Sequence, residues 1–114
     1  MALKVYYLDD EPILCSLFFE EFESAEIEVT TFTKYQKLID ATKSNLPDVI
    51  FLDYRLPGIN GDQIALKLAN EVPKYLITGD PHVKTTYQFA GVFQKPYEEK
   101  ALQQVLQKML KNTR

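Results

Sequence analysis

The chain has 114 residues, 46% hydrophobic and 25% charged, the size and mixture of one compact domain that can bury a core without covalent staples. Thirteen basic residues against sixteen acidic ones leave a formal net charge of -3, which removes any strong electrostatic pull toward nucleic acid. A single cysteine, Cys15, excludes an internal disulfide framework. No apolar stretch approaches the ~18 residues of a membrane helix, and the N-terminus lacks the pattern of a signal peptide; a cytoplasmic location without membrane contact is expected.

Val5-Tyr6-Tyr7-Leu8 reads as a first strand, stopping at Asp9-Asp10-Glu11-Pro12. Pro12 suits the first turn of a helix, where its missing N–H costs nothing. From there Ile13, Leu14, Leu17, Phe18 and Phe22 recur at helical spacing and predict a core-facing stripe, with Glu20, Glu21 and Glu23 on the solvated face. Ile27, Val29 and Thr31 alternate with Glu26, Glu28 and Thr30 as a half-buried strand. Thr33 is placed to cap a second helix carrying Tyr35, Leu38, Ile39 and Thr42. Val49 to Leu52 is a continuous apolar run, as a central strand covered on both faces requires, and it ends at Asp53. After the turn Leu56 to Gly61, Ile64, Ala65, Leu68 and Ala69 predict a third helix. Tyr75 to Ile77 is a fourth strand closing at Thr78-Gly79-Asp80, and Val92 to Gln94 is a short fifth before Lys95-Pro96. A final helix is predicted from Tyr97 to about Lys111, with Ala101, Leu102, Val105, Leu106, Met109 and Leu110 as its apolar set. Strands alternating with helices over the whole chain predict a single α/β domain, residues 1–114, with a parallel sheet and helices on both faces.

In such a sheet ligands bind beyond the carboxyl ends of the strands. Asp9, Asp10, Asp53, Thr78 and Lys95 all fall there. Asp is also a common turn residue, so each position alone says little. Together, three clustered carboxylates repel one another unless a cation intervenes, and Mg2+, a hard ion that takes one or two carboxylates plus phosphate oxygens, resolves that repulsion.

In this order and along this βα alternation, Asp9-Asp10, Asp53 with Leu56 to Gly61, Thr78, and Lys95-Pro96 resemble the signature of response-regulator receiver domains, the phosphoacceptor modules of two-component signalling. The resemblance spans essentially the whole chain. It implies a flavodoxin-like doubly wound sheet of five parallel strands in the order 2-1-3-4-5. It implies that Asp53 is the phosphoacceptor, that Asp9 and Asp10 with Asp53 and the backbone carbonyl of Arg55 hold Mg2+, and that Thr78 and Lys95 contact the phosphoryl group. The lysine–proline bond is often cis in this family. A histidine kinase or phosphotransfer protein is the implied donor, small-molecule phosphodonors being a further source, and self-catalysed phosphorylation and dephosphorylation the only chemistry.

The chain also departs from the family. The position three before the lysine, usually aromatic, is Val92, whose branched side chain cannot make a large inward–outward swing. Phe93 alternates to the other side of the strand and is expected in the core. Asp53 to Thr78 and Thr78 to Lys95 are each about five residues shorter than the family habit. Between Thr78 and Lys95, with Gly79, Pro81 and Gly91 present, only a shortened fourth helix of about two turns around Val83 to Phe89 is expected. Arg55 and Asp80 are candidates for a salt bridge over the pocket that slows hydrolysis. His82 and Cys15 are expected to have surface or packing roles.

Two other readings stand beside the phosphoacceptor. One is a pseudo-receiver, an interaction module not switched by phosphate. The other is a flavodoxin-like flavin protein, disfavoured because Asp9-Asp10-Glu11-Pro12 would repel the phosphate that such a loop must cradle. A stand-alone receiver and a receiver cut from a longer regulator fit the sequence equally.

Overall fold

The computed structural model describes residues 2–113. In chain order the elements are β1 (Leu3–Leu8), α1 (Pro12–Phe22), β2 (Ile27–Phe32), α2 (Tyr35–Ser44), β3 (Val49–Asp53), β4 (Arg55–Leu56), β5 (Ile59–Asn60), α3 (Gly61–Leu66), β6 (Lys74–Thr78), β7 (Gly91–Gln94) and α4 (Glu99–Thr113). The main sheet is parallel, ordered β2-β1-β3-β6-β7. This is the expected 2-1-3-4-5 order, with the small β4-β5 hairpin intervening in the numbering.

Side chains alternate across the sheet and sort into two cores. Leu3, Val5, Tyr7, Phe51 and Ile77 face α1, through Cys15, Phe18 and Phe22, and α4, through Leu102, Leu106 and Leu110. Tyr6, Leu8, Ile50, Leu52 and Leu76 face Leu38 and Ile39 of α2 and Ile64 and Ala65 of α3. All five residues of β3 are buried, which is why its sequence is continuously apolar rather than alternating. Leu8 pairs with Leu52, and Asp53 with Ile77. This register brings the carboxyl ends of β1, β3 and β6 to one rim.

Several expectations need correction. Ile13 and Leu17 are exposed, at 70% and 47%, and the buried face of α1 is Cys15, Phe18 and Phe22. That helix is apolar around most of its girth, so spacing alone could not choose the buried side. Thr33 does not cap α2; the N-cap is Lys34, with no side-chain bond. The Leu56–Gly61 turn contains an antiparallel hairpin, Arg55–Leu56 against Ile59–Asn60, turning at Gly58 with φ of 77°, a left-handed conformation that glycine adopts without a Cβ penalty. Helix α3 ends at Leu66, because the Lys67 and Leu68 amides donate three residues back, to Ile64 and Ala65, a tightening common at helix ends.

The largest difference lies between β6 and β7. The short helix expected over Val83 to Phe89 does not form. Within that span the Thr86 amide donates to Asp62 Oδ2, and the flanking amides are engaged too, Asp80 with Thr78 Oγ1 and Ala90 with the Lys74 carbonyl. Burial alternates residue by residue from Val83 to Ala90, the period of extended chain, and Val83, Tyr87 and Phe89 close over the second core. The β-branched Val83, Thr85 and Thr86 favour this state. Val92 is left 53% exposed, while Phe93 packs against the first core as expected. Helix α4 begins at Glu99, two residues later than predicted.

Candidate functional site

Asp9 follows β1 and is fully buried. Its Oδ1 accepts the Glu11 amide at 3.0 Å. Its Oδ2 accepts both the Tyr7 hydroxyl at 2.9 Å and the Lys95 ammonium at 2.7 Å. Asp53, at the end of β3, is 8% exposed, with Oδ2 3.5 Å from Lys95 Nζ. Ligand atoms of Asp9, Asp10 and Asp53 lie within 4.8 Å of one another, Asp10 being the exposed member. This is a hard, anionic oxygen set of the kind that suits Mg2+.

Thr78 ends β6 and is buried, its Oγ1 accepting the Asp80 amide at 3.1 Å. The Lys95 amide donates to the Thr78 carbonyl at 2.8 Å, tying the end of β6 to the start of the β7–α4 connection, where the Lys95–Pro96 bond is cis. Arg55 and Asp80 form an ion pair at 2.5 Å. Asp10, Asp53, Arg55, Thr78, Asp80 and Lys95, with Glu11, Leu14 and Gly79, line one open cleft of about 500 Å3. The predicted site residues thus converge, with Asp9 beneath them.

Burial pushes the Asp53 carboxyl up to about 6; Lys95 opposes the rise and the Asp9 charge adds to it. Burial pulls the Lys95 ammonium down, but its hydrogen bond to Asp9 and the charges of Asp53 and Asp9 outweigh this and leave it raised. The hydrogen bond from Arg55 holds Asp80 below the usual carboxylate range, and the same bond raises Arg55. Burial, then the Asp9 charge, raises the Cys15 thiol, whose Sγ donates to the Asp9 carbonyl at 3.4 Å; Cys15 is a packing residue.

The wall behind Asp53 is built closely. A Cβ on Gly61 would meet Leu76 Cδ1 at 2.9 Å and the Asp53 carbonyl at 3.2 Å. The Gly61 amide donates to Tyr54, and Asn60 with Gln63 forms a capping box that starts α3. Three polar residues escaped the sequence reading. Lys74 is 2% exposed and donates to the Ala69 and Val72 carbonyls at 2.6 and 2.8 Å. Asp62, also buried, accepts the Thr86 amide and hydroxyl at 2.6 and 3.0 Å. Tyr7 carried a legible signal: two residues before Asp9 on a strand, it must lie on the same sheet face.

A doubly wound parallel sheet with three carboxylates, a hydroxyl and a lysine at one carboxyl-end rim defines a signalling receiver module. The response regulator receiver domain matches residues 5–107, and the chain belongs to that family. It is 29% identical over 107 residues to the C4-dicarboxylate transport transcriptional regulatory protein DctD of Pseudomonas aeruginosa, a match covering 87% of this chain and 23% of that protein; the chain spans about a quarter of that relative's length. Solved structures show the same fold. The receiver domain of an HD domain-containing protein from Pseudomonas fluorescens superposes with a TM-score of 0.87 at 14% identity, covering 98% of this chain and 97% of the other. The receiver domain of the Pseudomonas aeruginosa sensor histidine kinase PA1611, which has a magnesium ion coordinated in its active-site cleft, gives 0.83 at 18%, covering 96% and 98%. The chemotaxis response regulator CheY4 of Vibrio cholerae gives 0.80 at 19%, covering 96% and 99%. Among the described residues, no helix is long and apolar enough to cross a membrane.

Proposed function

We propose that residues 1–114 form a phosphorylatable receiver that takes a phosphoryl group onto Asp53 from a phosphohistidine of a kinase or phosphotransfer protein, or from a small acyl phosphate. The observation that carries this reading is the position of Lys95 Nζ, 2.7 Å from Asp9 and 3.5 Å from Asp53, beside three carboxylates close enough to share a cation. An Asp53 oxygen attacks phosphorus; the new O–P bond forms as the P–N or P–O bond to the donor breaks, and the leaving imidazole or carboxylate keeps the electron pair. Such transfer needs mainly positioning and neutralisation of phosphoryl oxygens. Asp10, Asp53 and the Arg55 carbonyl would hold Mg2+ directly, with Asp9, whose two oxygens already accept three hydrogen bonds, acting behind them. When bound, Mg2+ neutralises charge on the phosphoryl oxygens. Lys95 supplies the second cation, and the Thr78 hydroxyl a donor once it turns from the Asp80 amide. Arg55 and Asp80, paired across the cleft mouth, restrict the approach of hydrolytic water.

A pseudo-receiver is the second reading, favoured by the exposed Val92 and the missing helix before β7. Incubation with Mg2+ and acetyl phosphate followed by intact mass separates the two. Addition of one phosphoryl mass, lost on Asp53→Asn, is expected; no addition, or the same addition in the variant, would refute the phosphoacceptor.

A further inference from the structure

Asp9 Oδ2 has two donors, and only one of them can leave. Lys95 sits on a connection outside the sheet with its side chain partly exposed. Tyr7 is 2% exposed, within β1, paired in register with Thr31 on one side and Phe51 on the other. Its ring stacks on Phe18 with centroids 4.1 Å apart and planes 8° from parallel. The phenol is held by packing and remains aimed at Asp9 whatever Lys95 does.

This bears on the phosphoacceptor reading, on which the inference rests. Lys95 Nζ lies nearer Asp9, at 2.7 Å, than Asp53, at 3.5 Å, and on this reading a phosphoryl group on Asp53 draws it away from Asp9. A fully buried carboxylate oxygen stripped of its donors carries a large desolvation penalty, and that penalty would hold Lys95 in place. We infer that Tyr7 is a positioning residue whose hydroxyl keeps Asp9 Oδ2 satisfied when Lys95 departs, making the lysine transferable between Asp9 and the phosphoryl group. Tyr7 acts through Asp9, to which its hydroxyl donates. It also links the site directly to α1, because the ring carrying the hydroxyl is the one stacked on Phe18.

A two-by-two cycle of Tyr7→Phe and Lys95→Met in metal-free protein, read by urea unfolding, tests the claim. Tyr7→Phe retains the stacked ring, and Lys95→Met imitates the departure of the lysine. Where Lys95 remains, loss of the hydroxyl leaves Oδ2 one donor; where it is gone, none. The increase in the unfolding constant on Tyr7→Phe is expected to be roughly tenfold larger in the Lys95→Met background, the scale of one hydrogen bond to a charged group. A purely packing role predicts the same increase in both backgrounds, and additivity within about twofold would overturn the inference. Should the double variant not fold, proton exchange at the Lys95 ammonium, followed by 15N NMR in Tyr7→Phe alone, decides. Slower exchange than in the wild type is expected, since Asp9 then depends on Lys95; unchanged exchange overturns the inference. Titration with Mg2+ and beryllofluoride separates the two levels of the argument. Wild-type binding that weakens about tenfold in Tyr7→Phe supports the inference, and equal binding overturns it. If the wild type neither binds this mimic nor takes up phosphate, the phosphoacceptor reading falls, while the cycle still decides what holds Asp9.

Discussion

Replacing Asp53 with Asn removes a charge that burial disfavours. The Asp53 carboxyl rises from its ordinary 3.8 to about 6, with burial as the main cause. The folded protein therefore binds a proton here more tightly than the unfolded chain does. By linkage, stability falls as pH rises from about 4, and the loss is complete above about 6. Converted at ~1.4 kcal/mol per tenfold, the rise corresponds to about 3 kcal/mol, and relaxation around the half-open cleft reduces this toward 1–2 kcal/mol. Asn keeps the shape and loses the charge, so in EDTA at pH 7.5 Asp53→Asn is expected to be more stable than the wild type by about 1–3 kcal/mol. Near pH 4 the two should converge. Urea unfolding at both values measures this, and comparison at each pH cancels the titration of all other groups. Equal stability at pH 7.5, or an Asp53 carboxyl that titrates below about 4.5 by 13C NMR, would refute the reasoning. The same titration governs the metal: a cation competes with the proton on Asp53, so Mg2+ affinity is expected to weaken as pH drops through about 6.

Lys95→Ala removes one of the two cations while leaving Asp53 in place; phosphoryl uptake seen by mass should slow but survive in part, while the backbone NMR shifts that accompany it should largely vanish, because a ligand shifts an equilibrium only through contacts that differ between states. Gly61→Ala forces a methyl against the Asp53 carbonyl and Leu76 and is expected to cost about 1–3 kcal/mol in urea unfolding; a neutral result would mean that the wall behind Asp53 yields. Lys74→Met strands the Ala69 and Val72 carbonyls and should cost about 1–3 kcal/mol, with a gain in stability counting against that bond pair. Asp62→Ala releases Thr86, so hydrogen exchange should accelerate about tenfold or more through residues 79–91 and stay unchanged in β3; uniform acceleration would show global destabilisation instead.

Much of this protein is legible in its sequence. Alternating apolar runs and helical spacings located the main-sheet strands and four helices, because burial on one or both faces of a sheet imposes its period directly on the residue order. Asp9, Asp10, Asp53, Thr78 and Lys95 could be grouped from sequence because parallel topology sends the carboxyl end of every strand to one rim. The Arg55–Asp80 pair was a sequence expectation too, each residue lying two positions beyond a rim residue. The buried side of α1 was not legible: with apolar residues around most of the helix, the choice between Leu17 and Cys15 is made by the sheet beneath.

Composition and spacing by themselves determined an α/β alternation and which residues stand at the strand ends, since both depend on local periodicity; the receiver architecture and its strand order were implied by the resemblance of Asp9-Asp10, Asp53, Thr78 and Lys95-Pro96 to that family. Only the tertiary structure decided that residues 83–90 form no helix, because the competing bonds come from Asp62 and Lys74, distant in the chain. Only it decided that Lys95 rests nearer Asp9 than Asp53, and that Tyr7 shares the same oxygen. Those are differences of about an ångström among groups up to 86 residues apart. A linear pattern carries period and order; such distances are set by how side chains from separate strands pack.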